Sequence, residues 1–204
     1  TQLDIDHGTY PFVTSSNTVA SNACTGSGFG PVYIDAVIGI LKAYTTRVGS
    51  GPFPSELFDE TGEQLQQKGG EFGATTGRKR RCGWLDSVVA NDAIRLNSIT
   101  GLAVTKLDGL SGQSTLKIAT SYEADGKKYT SMPSNIRLTE KVQPAYEEIP
   151  GWQEDIGSAR NIEDLPQKAR DYIKRIEDIT EAPAAMISVG PARDETLLVD
   201  NPFA

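Results

Sequence analysis

Residues 98–112 read SITGLAVTKLDGLSG. The segment 101–105 is a short, buried apolar strand, and it stops in a turn at Asp108 and Gly109. The strand delivers a lysine and an aspartate, two residues apart, to its C-terminal end. Open α/β sheets bind ligands outside the carboxyl ends of their strands. A carboxylate at Asp108 can accept two parallel hydrogen bonds from the N1–H and exocyclic amine of guanine, a donor pair that adenine lacks. The stem of Lys106 can lie along a base plane with its ammonium near solvent. The same two residues also suit a simple salt bridge at a strand end.

Working outward, residues 116–133 (LKIATSYEADGKKYTSMP) read as a hairpin, two alternating strands about an Asp125-Gly126 turn. In 165–180, Leu165, Ala169, Tyr172, Ile173, Ile176 and Ile179 share one helical face. Residues 184–199 read as a strand, a Gly-Pro turn and a last strand. Upstream, Asp86 or Ser87 can cap a helix that carries Leu85, Val88, Val89, Ala93 and Leu96. Residues 62–70 suggest a short polar helix, and 48–62 a Pro/Gly loop. In 31–48 (PVYIDAVIGILKAYTTRV), Val32, Ala36, Val37, Ile40, Leu41 and Tyr44 have helical spacing and Pro31 suits a first turn. That spacing predicts a mostly buried helix ending near Arg47. Residues 1–30 read as a loop with short strands, and 144–157 as the least organised stretch. Helices and strands alternate without a domain boundary, so the class is α/β.

The chain has 204 residues, enough for one large domain, and ordinary globular composition with 38% hydrophobic and 23% charged residues. Its formal net charge of −7 argues against a protein that coats nucleic acid. The two cysteines, Cys24 and Cys82, lie far apart and have no zinc-like spacing. They read as free thiols in a reducing compartment. No apolar run approaches the roughly 20 residues of a membrane span. The chain opens on TQLDIDHG without a methionine, as if an N-terminal part were missing.

Against the acidic total, residues 72–84 (FGATTGRKRRCGW) place four cations in a row, Arg78 to Arg81. Gly73 and Gly77 can hinge the segment, and Thr75 and Thr76 offer hydroxyls and backbone N–H groups. If the segment is extended, Arg78 and Arg80 point one way and Lys79 and Arg81 the other. Guanidinium forks suit a small dicarboxylate or a phosphate, and the alternative is a solvated loop. No aromatic residues interleave the cations to stack bases. Residues 26–31 (GSGFGP) could cradle a phosphate before a helix or form a tight turn, and they lack the ending of a P-loop. His7, the only histidine, lies near Asp4 and Asp6. It reads as a general base, half a metal site or a structural histidine.

Taken together the blocks say more. DIDHGTYPFVTSSNT (4–18), GILKAYTTRVGSGPFPSEL (39–57), EFGATTGRKRRCGWLD (71–86), LNSITGLAVTKLDGL (96–110), LPQKARDYIKRIE (165–177) and ISVGP (187–191) closely resemble, in order and wording, adenylosuccinate synthetase. The resemblance runs over essentially the whole chain. It implies an enzyme that joins IMP to L-aspartate using GTP and Mg2+ in purine biosynthesis. The γ-phosphoryl group of GTP goes to the 6-oxygen of IMP, and the amine of aspartate then displaces phosphate. It further implies a large, mainly parallel sheet with flanking helices, related to the P-loop GTPases, and a cytoplasmic homodimer.

Residue by residue, the resemblance places the aspartate loop on Ala74, Thr75, Thr76, Gly77, Arg78, Lys79 and Arg80. Thr75, Thr76 and Arg78 would hold the aspartate carboxylates, Arg78 would also approach IMP, and Arg80 would reach both aspartate and GTP. Lys106, Leu107 and Asp108 match the guanine-reading motif, and Ser188, Val189 and Gly190 a second guanine contact. Thr14 matches a contact to the IMP phosphate, and Val48 one beside the IMP ribose. The catalytic aspartate and histidine, the phosphate loop, the glutamine that touches IMP and most magnesium ligands match positions before Thr1. His7 matches a family histidine that is not the catalytic one. The expectation is therefore a C-terminal portion of one domain, inactive alone, with a truncated sheet edge that favours self-association. The competing expectation is a non-catalytic module that binds guanine nucleotides or anions.

Overall fold

A computed structural model describes residues 1–201. In chain order the elements are α1 (Asn22–Ser27), β1 (Ile38–Lys42), β2 (Thr45–Arg47), α2 (Glu60–Lys68), β3 (Arg81–Gly83), β4 (Leu85–Asp86), α3 (Ser87–Asn97) and β5 (Gly101–Thr105). There follow β6 (Thr115–Ala124), β7 (Lys127–Tyr129), α4 (Ile136–Thr139), β8 (Gln143–Pro150), α5 (Gln167–Thr180), β9 (Ala184–Ser188) and β10 (Thr196–Leu198). The architecture is mixed α/β with a mainly parallel sheet and flanking helices.

That sheet has the order β1-β5-β9-β10. β5 pairs in parallel with β1 on one side and β9 on the other, and only β10 runs antiparallel. The apolar run of β5 follows from this central place, with Leu102 and Val104 buried. α5 turns Ala169, Tyr172, Ile173 and Ile176 inward. Its Tyr172 hydroxyl donates to the carbonyl of Ala43, just past the end of β1, at 2.6 Å. α3 lies beside it, and the side-chain amide of Asn91 donates to the carbonyl of Ile179. A second sheet runs β4-β6-β7 with β8 on the other side of β6. Its β6–β7 hairpin closes on Asp125 and Gly126, both at positive φ, the conformation that an Asp-Gly turn favours. β2 and β3 form a separate two-stranded ribbon.

Three expectations change, and one pair of alternatives is decided. Residues 31–48 do not form a helix. They form a short 3-10 turn, Pro31–Tyr33, and then β1 and β2. The apolar positions that suit a helix also suit a strand, and pairing with β5 from Ile38 to Lys42 decides the matter. Gly39 helps, because Ile99 packs where a β-carbon would stand. Residues 1–30 contain turns and α1 but no strand among the described residues. In 26–31 the structure has the tight turn, not a cradle before an α-helix, with Gly28 ending α1 and Gly30 preceding the 3-10 turn. Gly28, at φ 75°, caps α1 by donating its N–H to the carbonyl of Cys24. Finally, 143–150 is well ordered as β8, paired along β6.

Candidate functional site

β1, β5 and β9 end together, because Lys42 pairs with Thr105 and Val104 with Ile187. The chain leaves β5 through Lys106, at φ 62°, into a 3-10 turn, Leu107–Leu110. Leu107 and Leu110 are fully buried and hold this turn to the core. Between them, Oδ1 of Asp108 is buried and accepts no hydrogen bond from the described residues. Burial pushes the Asp108 pKa up, and nearby Glu195 adds to the effect. The backbone amides of Asp108 and Gly109 and the Lys106 ammonium oppose it. A buried acceptor without a partner costs about 1–3 kcal/mol, so this oxygen is a standing demand for a donor. Lys106 is less free than its motif suggests, since its ammonium donates to the carbonyl of Gly69 at 2.9 Å. At the end of β9, the Ser188 hydroxyl donates to the carbonyl of Gly190 at 2.8 Å, and the Val189 N–H to that of Glu195 at 2.9 Å. The two stretches singled out as guanine contacts therefore stand on neighbouring parallel strands.

The basic segment is a closed loop. Phe72 and Lys79 bridge its neck, the Gly73 N–H donates to the carbonyl of Arg78, and the Gly77 N–H to that of Gly73. Gly77 has φ 62°, which a residue without a β-carbon adopts freely. Residues 74–79 are exposed. The Thr76 hydroxyl accepts from the Arg78 N–H at 3.3 Å. The cations then divide. Among the described residues the side chains of Arg78 and Lys79 form no hydrogen bond or ion pair. Arg80 is half-buried and its Nη1 donates to Glu71 at 2.9 Å. Arg81 grips both Glu56 oxygens, donates to the carbonyls of Gly49 and Gly51, and lies 5.5 Å from the Phe53 ring centre. It is a structural anchor of the ribbon.

Glu71, fully buried at the foot of this loop, was not visible as a functional residue. Its carboxylate accepts from Lys42 Nζ at 2.7 and 2.8 Å, from the Tyr44 hydroxyl at 2.9 Å and from Arg80. Burial alone would raise its pKa, but the bonds from Lys42, Arg80 and Tyr44 outweigh that and lower it. Lys42 also donates to the Thr46 hydroxyl at 2.8 Å. No local pattern marks these partners, which lie 29 and 27 residues before Glu71 and 9 after it.

A cleft of about 560 Å³ opens beside this cluster. Lys42, Thr46, Arg47, Val48, Arg80 and Asp86 are among its walls, whereas Thr14 and Arg78 are not. The Thr14 hydroxyl instead donates to the carbonyl of Leu3 at 2.9 Å. Arg47 is buried and, among the described residues, has no carboxylate partner; the Thr9 hydroxyl and the carbonyls of Phe12 and Ser50 hold it. Burial and the neighbouring Arg81 lower its pKa. Asp86 caps α3 and accepts from the Tyr122 hydroxyl at 2.6 Å, and burial raises its pKa to about 6. Asp4 is spent on structure. Burial would raise its pKa, but the N–H groups of Thr18, Asp6 and His7 bring it down to about 2. His7 is exposed. Both cysteines are free, and burial pushes the Cys82 thiol up to about 11, which makes it a poor nucleophile. Among the described residues no three His, Cys, Asp or Glu side chains converge on a possible cation site. No described helix is long and apolar enough to cross a membrane.

The model of the adenylosuccinate synthetase family matches residues 1–197. The chain is 66% identical over 203 residues to the adenylosuccinate synthetase of Desulfotalea psychrophila, covering 100% of this chain and 46% of that protein. It is 60% identical to that of Syntrophobacter fumaroxidans over 203 residues, covering 100% and 47%. Among solved structures, a fully ligated adenylosuccinate synthetase from Plasmodium falciparum superposes with a TM-score of 0.93 at 39% identity, over 97% of this chain and 47% of that one. The chain thus spans about half the length of the relatives it matches.

Proposed function

The chain belongs to the adenylosuccinate synthetase family, and from that premise we propose that it carries the guanine end, the aspartate loop and part of the IMP site of a GTP-dependent ligase. The ligase joins IMP and L-aspartate to give adenylosuccinate, GDP and phosphate. The observation that carries this reading is the buried, unpartnered Oδ1 of Asp108 at the ligand-binding end of the sheet.

In this reading Asp108 accepts from N1–H and the exocyclic amine of guanine, and Ser188 to Gly190 wall the base from the neighbouring strand. Lys106, tied to Gly69, lends its stem to the base plane. Thr75, Thr76 and Arg78 take the aspartate carboxylates, and the exposed, unpaired guanidinium of Arg78 is free to form a bidentate pair. Arg80 faces the cleft between aspartate and the GTP phosphates. Clustered cations stabilise the charge that a triphosphate, a monophosphate and a dicarboxylate bring together. Val48, on the cleft wall, lies beside the IMP ribose, and Thr14 reaches the IMP phosphate. Mg2+, when bound, screens the GTP phosphates. The whole enzyme is a cytoplasmic homodimer, and exposed Phe29, Val32 and Tyr33 offer apolar surface to a second subunit.

The test is adenylosuccinate formation by the complete gene product that contains this chain, omitting GTP, IMP or aspartate in turn, with residues 1–204 assayed alongside. The expected result is product that needs all three substrates, and none from residues 1–204. Product from residues 1–204 alone would show that the chemistry has been misplaced. Guanine-nucleotide binding without any product from the complete protein would leave a binding module and overturn the ligase.

A further inference from the structure

Glu71 is a fully buried carboxylate beside the cleft, bonded by two cationic side chains and a tyrosine, and the proposed reaction does not use it. It accepts four hydrogen bonds from three side chains on different parts of the fold. Lys42 stands at the C-terminal end of β1, paired with Thr105. Tyr44 lies just beyond β1, and Arg80 closes the basic loop. The backbone on both sides of Glu71 is tied as well. Its carbonyl accepts from the Arg80 N–H at 2.9 Å, and the carbonyl of Gly69 accepts from Lys106.

Tyr44 extends the contact toward the guanine end. A β-carbon on Gly69 would lie 1.8 Å from its hydroxyl, and one on Gly109 would lie 3.0 Å from its ring. The two glycines let the ring wedge between the foot of the loop and the turn that carries Asp108. An unbroken series of contacts therefore runs from Gly109 through Tyr44 and Glu71 to Arg80.

Charge alone does not explain Glu71. The cleft is read as a site for three anionic substrates, yet this carboxylate offsets one of the three cations, Lys42, Arg47 and Arg80, on its wall. Neutralising Glu71 would make the wall more positive and, by charge alone, favour anions. What the carboxylate supplies is direction. It fixes the half-buried guanidinium of Arg80 and the root of the loop relative to β1.

We infer that Glu71 is a positioning residue, which orients Arg80 and the root of the 74–80 loop for the small dicarboxylate. This rests on the reading of that loop as the aspartate site. The carboxylate touches no substrate and acts through Arg80.

The experiment compares wild type, Glu71→Gln and Tyr44→Phe in the complete gene product. Aspartate KM, the inhibition constant of GDP and the melting temperature are measured for each. For Glu71→Gln, aspartate KM rises about tenfold, while the GDP constant, to which Arg80 also contributes, rises less, by about threefold at most. Tyr44→Phe keeps the ring and removes one of the four bonds, and it moves aspartate KM the same way by about threefold. An unchanged aspartate KM in Glu71→Gln, or equal changes in the aspartate and GDP constants, would overturn the inference. If the wild type makes no adenylosuccinate, the ligase reading itself falls, and a second readout decides the positioning role. That readout is the ratio of first tryptic cuts after Arg80 to those after Arg78. The ratio is low while Glu71 holds Arg80, and it rises about threefold or more in Glu71→Gln. The same ratio in both proteins would overturn the inference.

Discussion

Asp108 and Arg78 are both read as substrate contacts, yet they stand in opposite surroundings. Asp108 projects from a turn pinned by two fully buried leucines, at the end of a strand with parallel neighbours on both sides. Arg78 projects from a loop whose residues 74–79 are all exposed and which is closed by a few backbone bonds at its neck. One site is prebuilt and carries the cost of a buried acceptor without a donor. The other, if it closes over aspartate as proposed, would meet its ordering cost when that ligand arrives. A prebuilt site discriminates between bases by its fixed acceptor. A deferred one can close over a substrate and exclude water.

The comparison breaks most sharply at Asp108. In the complete gene product, Asp108→Asn replaces one of two acceptors with a donor and removes the charge. GTP KM should rise about 100-fold, or about 2.7 kcal/mol. Xanthosine triphosphate, which offers an acceptor where guanine has its amine, should become the better substrate. Steady-state kinetics with both nucleotides checks this, and an unchanged preference would sink the guanine assignment.

At the loop, Arg78→Ala should raise aspartate KM about 30-fold by removing a bidentate fork. Its melting temperature should not move, because the side chain is exposed and makes no internal bond. Loss of stability without loss of aspartate affinity would make Arg78 structural and remove the contrast.

Acidification separates the two regions without mutation. Burial raises the Asp108 pKa above the ordinary carboxylate range. Its ionised form, the one that accepts both guanine donors, is therefore lost at a higher pH than a free carboxylate would allow. The loop offers its ligand no carboxylate that could titrate in the same way, since residues 74–80 contain neither Asp nor Glu. As pH is lowered into the acid range, GDP affinity should weaken before aspartate KM changes. Titration calorimetry with GDP and kinetics with aspartate test the order, and simultaneous loss would mean that Asp108 is not the titrating group.

The two regions were also unequally legible in the sequence. The TKLD ending of β5, the Asp-Gly hairpin, the Asp86 cap of α3 and the inward face of α5 are local signals, and the fold uses each of them. Residues 31–48 misled because Val37, Ile40, Leu41 and Tyr44 satisfy helical spacing. The deciding term, the pairing of β1 along β5, involves residues about sixty positions away. Glu71 was hidden for the same reason. A glutamate before Phe-Gly looks like any loop residue until Lys42, Tyr44 and Arg80 meet around it. The sequence could place Asp108 at a strand end, but only the packed turn shows that one of its oxygens lacks a donor.

The smallest expected effect is the most informative about deferred ordering. Gly77 has φ 62°, and a β-carbon added there would have nothing within 4 Å. Gly77→Ala therefore changes backbone preference and nothing else. Holding an alanine in that conformation costs about 1 kcal/mol, so the closed loop should be about fivefold less populated. Aspartate KM should rise by that factor while GTP KM stays fixed. Gly77→Asn should recover most of the loss, since asparagine tolerates positive φ. If alanine and glycine bind aspartate equally well, the loop does not keep this turn when it closes. Its binding conformation would then be reached by rebuilding the neck at Gly73 and Arg78 rather than by closing on the turn seen here.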